Sequence, residues 1–164
     1  MADKKISDLT AATLVADTDL VEISQDAGGG TFASKKITAA LLNPTICKDV
    51  ACSDEITALT TGTKVTFRWK GRPITQGLKI SASLTTAQAS GATLVTLDVK
   101  KNGTTMFSTK PTIDNTEKTT ETAATAPVLT ATGIAYDDEI TCIVDTLQAG
   151  SVAAGLKIYI EGKA

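Results

Sequence analysis

The amino-acid sequence predicts an all-β protein, an antiparallel β-sandwich or jelly roll carrying an extended N-terminal arm. Three observations lead there. Thr is the commonest residue, at 29 of 164 positions, with Ala next at 23, and β-branched Thr suits a pleated, half-buried surface. From Glu55 onward apolar and polar residues alternate with period two in repeated short runs, as in strands buried on one face. Gly71, Pro73, Gly77, Gly91, Pro111, Pro127, Gly133, Gly150 and Gly155 punctuate those runs, and no long helical periodicity intervenes.

The elements follow in chain order. Asp19–Ser24 alternates Leu20 and Glu22 against Val21 and Ile23, a short strand. Gly28-Gly29-Gly30 breaks it, and 31–38 returns as a second extended segment closing a hairpin. Thr38 to Leu42 reads as one helical turn capped by Thr38 and stopped before Pro44. Residues 1–54 hold 5 basic and 8 acidic side chains and few large apolar ones. A stretch that small and polar buries too little surface to fold by itself, so it is expected to be a docking arm and linker.

Residues 55–164 are expected to form the β-domain. Its inward sets are Val65, Phe67 and Trp69; Leu78, Ile80, Ala82 and Leu84; Val95, Leu97 and Val99; Ile140, Cys142 and Val144; and Leu156, Ile158 and Ile160. Asn102-Gly103 is the strongest hairpin signal, because a two-residue type I′ turn needs positive φ at both positions. That turn sets Lys101 opposite Thr104 and Val99 opposite Met106, keeping one face apolar.

Composition narrows the chemistry. With 16 basic and 18 acidic residues the formal charge is -2, so neither nucleic acid nor an anionic membrane is an expected partner. Histidine is missing, which removes the usual general base near neutral pH, the commonest zinc ligand and every Ser-His or Cys-His dyad. No apolar run approaches the ~18 residues of a membrane span, and no apolar h-region follows Met1 to Lys5. Synthesis in a reducing cytosol is expected, with no cofactor, no metal and no enzymatic activity.

The candidate sites resolve mostly into ordinary structure. The Gly28–Lys36 stretch lacks the Gly-Lys-Ser/Thr core of a phosphate loop and reads as a hairpin tip. Asp17, Asp19 and Glu22 lack the turn glycine and distal Glu of a calcium loop. Asp137-Asp138-Glu139 is expected to be a solvated turn before Ile140 rather than a cation site. No carboxylate pair stands out, and only Trp69, Tyr136 and Tyr159 offer a sugar platform. Cys142 is in phase with Ile140 and Val144, hence a buried thiol. Cys47 and Cys52 lie four residues apart without a second ligand pair for zinc. They are either two ordinary thiols, or one of them makes an inter-subunit disulfide in an oxidising medium. Ile143 falls on the outward phase between Thr141 and Asp145, where it suits a subunit interface.

Lys5-Ile-Ser-Asp-Leu-Thr-Ala-Ala-Thr13, Asp17-Thr-Asp-Leu-Val21 and Ser34-Lys-Lys-Ile-Thr-Ala-Ala-Leu41 are similar to an N-terminal docking module of tail-fibre and other virion structural proteins of tailed bacteriophages. The segments 56–67, 98–104, 107–114, 137–141 and 155–159 are similar to a β-module of the same class. Arg68-Trp-Lys-Gly-Arg72 and Ile143 depart from that pattern, where an apolar-Pro stretch and a polar residue are expected.

The resemblance implies a non-enzymatic virion protein that decorates or reinforces the capsid or forms a short fibre. It further implies a homotrimer, with other capsid, neck or tail proteins as partners. The arm would contribute Ile6, Leu9, Leu20, Val21, Ile23, Ile37 and Leu41 to the interface, with Ile143 from the β-domain. The alternatives are a receptor-binding module that recognises host glycans, which low aromatic content disfavours, and a cell-wall hydrolase.

Overall fold

A computed structural model of the chain describes the backbone of residues 20–26 and 32–38 and the whole of 45–164. Its described secondary structure is all strand, and every pairing is antiparallel. The chain divides into two units at Pro44/Thr45.

In the first unit, β1 (Leu20–Asp26) pairs with β2 (Phe32–Thr38) over seven residue pairs, from Leu20 opposite Thr38 to Asp26 opposite Phe32. This is the expected hairpin, with strands that fall close to the predicted ones. The expected helical turn at 38–42 lies outside the described residues beyond Thr38, as do Ile6, Leu9 and Leu41.

The second unit holds two sheets around one core. One sheet runs β4 (Gly62–Arg68), β11 (Glu139–Thr146), β6 (Val95–Lys101), β7 (Thr104–Thr105), with β9 (Thr112–Ile113) also on β6. The other runs β3 (Thr45–Ala51), β12 (Lys157–Lys163), β5 (Gln76–Ser83). A small third sheet pairs β8 (Phe107–Thr109) with β10 (Val128–Leu129). These registers draw a sandwich; they do not draw the eight-stranded double Greek key of a jelly roll.

Period-two alternation explains the core. Val95, Leu97 and Val99 of β6 and Ile140, Cys142 and Val144 of β11 are all fully buried. They face Ile80 and Ala82 of β5, Ile158 and Ile160 of β12, and Leu84 and Leu156 just outside those strands, all buried in the same cluster. Each such Ile, Leu or Val contributes about 1.5–3 kcal/mol by leaving water. Trp69 completes one end, its indole Nε1 donating to the Arg72 carbonyl at 2.8 Å. The Asn102-Gly103 turn is as expected, with φ of 49° and 83° and Lys101 opposite Thr104. Met106 donates its amide to the Val99 carbonyl at 2.9 Å.

The boundary expected at 54/55 is corrected. Thr45–Ala51 is not linker but β3, paired with β12 along its whole length from Thr45 opposite Lys163 to Ala51 opposite Lys157. Its side chains are mostly exposed, with Val50 buried, so it carries no clean alternation for a sequence reading to find. An outer strand of this kind is held by backbone pairing more than by burial.

Candidate interaction surface

Most strand edges in the sandwich are covered. Segment 118–120 lies along the outer side of β5: Leu84 donates its amide to Lys118 O and Thr120 to Ala82 O, while the Thr120 hydroxyl accepts from the Ala82 amide at 2.9 Å. β6 is flanked by β7 and β9, and the Leu97 amide reaches Pro111 O at 2.9 Å. Among the described strands of the sandwich, β3 and β4 end their sheets with one side unpaired.

These two edges adjoin. Lys48 of β3 sets its ammonium 5.3 Å from the centroid of the Phe67 ring on β4, a cation–π contact joining the sheets along one flank. Ile46, Val65 and Phe67 pack on the core there yet are only partly buried. The flank therefore offers unpaired backbone groups from two seven-residue strands beside half-exposed apolar side chains. That combination suits strand addition, in which backbone hydrogen bonds supply affinity and alternate side-chain pockets supply selectivity.

Cys47 is exposed on this flank. Its sulfur lies 3.6 Å from Glu161 Oε1 and 3.8 Å from Asp49 Oδ1. Desolvation first, then the charge of Glu161 and Asp49, pushes the thiol above its ordinary pKa, because both effects disfavour a thiolate.

Cys52 is placed differently from the expectation. It is buried, 6% exposed, inside the core cluster, so it cannot reach another subunit while the fold is closed. Its sulfur instead lies 3.5 Å from the Val50 carbonyl oxygen. An inter-subunit bond through Cys52 is thus corrected, whereas Cys47 is at the surface. Cys142 is fully buried, as its phase predicts.

The outward face of the larger sheet holds Ile143, whose Cα partners are Asp98 on β6 and Thr63 on β4. Ile143 is partly buried, on the face away from Cys142, as predicted. Asp98 shares that outward phase but is buried, its side chain 3% exposed. It accepts from the Thr105 hydroxyl at 2.6 Å and pairs with Lys110 at 3.2 Å; Lys110 also meets Asp145 at 2.9 Å. Hydrogen bonds to Asp145 and Asp98 raise the Lys110 pKa against its desolvation. The segment bearing Thr105 and Lys110 folds across the sheet, which local alternation does not reveal.

The Asp137–Glu139 turn is tied to protein donors. Asp137, at φ 70°, bonds Lys70, whose ammonium lies 5.0 Å from the Tyr136 ring, and this bond lowers the Asp137 pKa. Asp138 accepts from Asn102 Nδ2 at 2.7 Å and from the Ala135 amide at 2.8 Å. Glu139 pairs with Arg68 at 3.5 Å. Of the three aromatic residues singled out from the sequence, Trp69 is buried, Tyr159 is bonded to the Ser83 hydroxyl at 2.9 Å, and Tyr136 is 61% exposed.

Leu20, Val21, Ile23 and Ile37 belong to the separate hairpin, where Val21 stands opposite Ile37 and Leu20 opposite Thr38. Ile46, Val65 and Phe67, partly buried on the open flank, and Ile56, which is 92% exposed, are apolar surface that the sequence reading did not single out. Comparison with known proteins found no matching family, no similar curated protein and no similar solved structure.

Proposed function

We propose that this chain is a non-enzymatic structural protein of a tailed-bacteriophage particle, decorating or reinforcing the capsid or forming a short fibre. The observation that carries the reading is the division at 44/45. The first unit holds a two-stranded hairpin, and the described residues of the second, 45–164, form a sandwich with a buried core. A two-stranded hairpin is marginal in water without a further strand or apolar surface. In this reading a neighbouring virion protein supplies that surface, and ordering costs are offset by burial. The resemblance of Lys5–Thr13, Asp17–Val21 and Ser34–Leu41 to a phage docking module supports the same assignment.

The open β3/β4 flank supports a second contact, between sandwiches, consistent with a homotrimer. Repetition around a symmetric particle makes individually weak contacts durable. The rival reading, host-glycan recognition, draws on one observation: Tyr136 is exposed beside Lys70, Asp137 and Arg68.

Virions made from the genome encoding this chain are the test. Gradient-purified particles should contain the protein at fixed stoichiometry, and the 45–164 fragment should stay folded but fail to co-sediment. Absence from purified particles contradicts the assignment. Glycan binding by the 45–164 fragment that Tyr136→Ala abolishes would favour the rival.

A further inference from the structure

Backbone phase limits what the open flank can accept. The Cys52 amide donates to Leu156 O at 2.8 Å, so alternation along the antiparallel ladder turns the backbone groups of Ile46, Lys48 and Val50 toward β12. Those of Thr45, Cys47, Asp49 and Ala51 therefore point to the free edge. On the other sheet the Trp69 amide donates to Asp138 O at 2.8 Å, which turns Phe67 and Val65 toward β11 and Thr66 and Arg68 outward. The side chains keep the same phases. Val50 is buried and Ile46, Val65 and Phe67 pack on the core, whereas Cys47, Asp49, Thr66 and Arg68 are exposed.

Charge then selects among strands of matching phase. Two copies of β3, paired antiparallel over all seven residues, set Lys48 opposite Lys48, and a slip of two residues sets Asp49 opposite Asp49. Like charges directly opposite disfavour both registers. β4 carries Lys64 and Arg68 and no carboxylate, so two copies of it line a seam with cations. Antiparallel pairing of β3 with β4 of a second copy meets neither obstacle. Full overlap sets Thr45 opposite Arg68, Ile46 opposite Phe67, Cys47 opposite Thr66 and Lys48 opposite Val65. Every pair matches in face and in hydrogen-bonding phase. Asp49 then comes beside Lys64, the residue that the β4 bulge leaves without a partner on β11. Neither Asp49 nor Lys64 has an ion pair among the described residues.

We propose that the open flank is a head-to-tail seam between copies of this chain, β3 of one adding antiparallel to β4 of the next. This rests on the contact between sandwiches in the reading above, not on the virion assignment. Each copy offers one edge of each kind, so the contact continues past two copies and closes as a ring, such as the homotrimer, instead of stopping at a two-fold dimer. Ile46 meets Phe67 across the seam, covering apolar side chains that the single chain leaves half exposed.

The test uses the full chain, purified without other virion proteins. In the seam Cys47 and Thr66 of the next copy form a hydrogen-bonded pair with Cα atoms about 5.5 Å apart, within the span of a disulfide. Oxidised Thr66→Cys protein should therefore give covalent species larger than the dimer on a denaturing gel, reversed by reductant. Oxidised wild type and the Cys47→Ser/Thr66→Cys chain should run as monomers on the same gel. In sedimentation the wild type should be an oligomer of the 16.9 kDa chain. Asp49→Lys should weaken that association roughly tenfold by turning attraction into repulsion, and Asp49→Lys/Lys64→Asp should restore it.

A wild-type chain that sediments as a monomer, covalent dimers formed through Cys47 alone, or a charge exchange that fails to restore association would overturn the proposal. Particles that contain the protein while the purified chain stays monomeric would remove the seam and leave the virion reading standing, so the two fail separately. The sedimentation of the wild type and the charge exchange decide the matter even if Thr66→Cys fails to fold.

Discussion

Asp98 and Lys110 are bound to each other, yet removing either should cost very different amounts. The Asp98 carboxylate is 3% exposed and has two side-chain partners, the Thr105 hydroxyl at 2.6 Å and Lys110 at 3.2 Å. Lys110 is 33% exposed and keeps Asp145 at 2.9 Å. Asp98→Asn leaves an amide of the same size that still accepts from Thr105, and leaves the Lys110 charge paired with Asp145 and water. The loss is about one charged hydrogen bond, roughly 1.5–2 kcal/mol. Lys110→Met instead strands a buried carboxylate with one neutral donor, the case in which breaking a buried pair costs about 3–5 kcal/mol. Urea unfolding of the 45–164 unit, followed by Trp69 fluorescence, reads both. Lys110→Met should be the less stable by at least about 1 kcal/mol at unchanged m-value. Equal losses below about 0.5 kcal/mol, the size seen for surface pairs, would refute the argument that Asp98 is desolvated.

Other expectations follow from individual contacts. A Cβ at Gly133 falls inside contact distance of the Ile74 carbonyl oxygen, in the two-bond bridge between Ile74 and Ile134; Gly133→Ala should destabilise by about 2–3 kcal/mol, measured by calorimetry. Stability should be flat between about pH 5 and 9. The carboxyls of Asp54, Glu55 and Asp137 are lowered by the Thr57 amide, Lys157 and Lys70 respectively, so their contribution is present above the unfolded carboxylate range and is lost as pH falls through the folded values. Lys110 is raised, so its contribution holds below the unfolded lysine value and fades as pH climbs through the folded one; a Tm scan against pH checks both limbs. Cys47 should alkylate more slowly than free cysteine at pH 7.5, and Glu161→Gln should speed it about two- to threefold by removing one facing charge.

Antiparallel strands with one wet face write their orientation into alternation, which is why the inward sets of β5, β6, β11 and β12 were legible residue by residue. The Asn102-Gly103 turn was legible because positive φ at both positions demands those residue types. β3 was not: Thr45-Ile-Cys-Lys-Asp-Val-Ala51 mixes charge and apolar residues because an edge strand is exposed on most sides, so it read as linker. That error carried Cys52 into the linker as well, hiding its burial in the core. Asp98 sits on the phase that alternation assigns to solvent, and only the fold of 105–111 across the sheet reveals that it is buried. Burial by distant segments leaves no local signature.

The virion assignment depends on β1 and β2 gaining their protection from a neighbour. Hydrogen exchange of these strands, in the free full-length protein and in assembled particles, tests this most directly. Their amides should exchange within seconds in the free protein while β6 and β11 stay protected, and should become protected in the particle. Equal protection of β1 and β2 in both states would contradict the account.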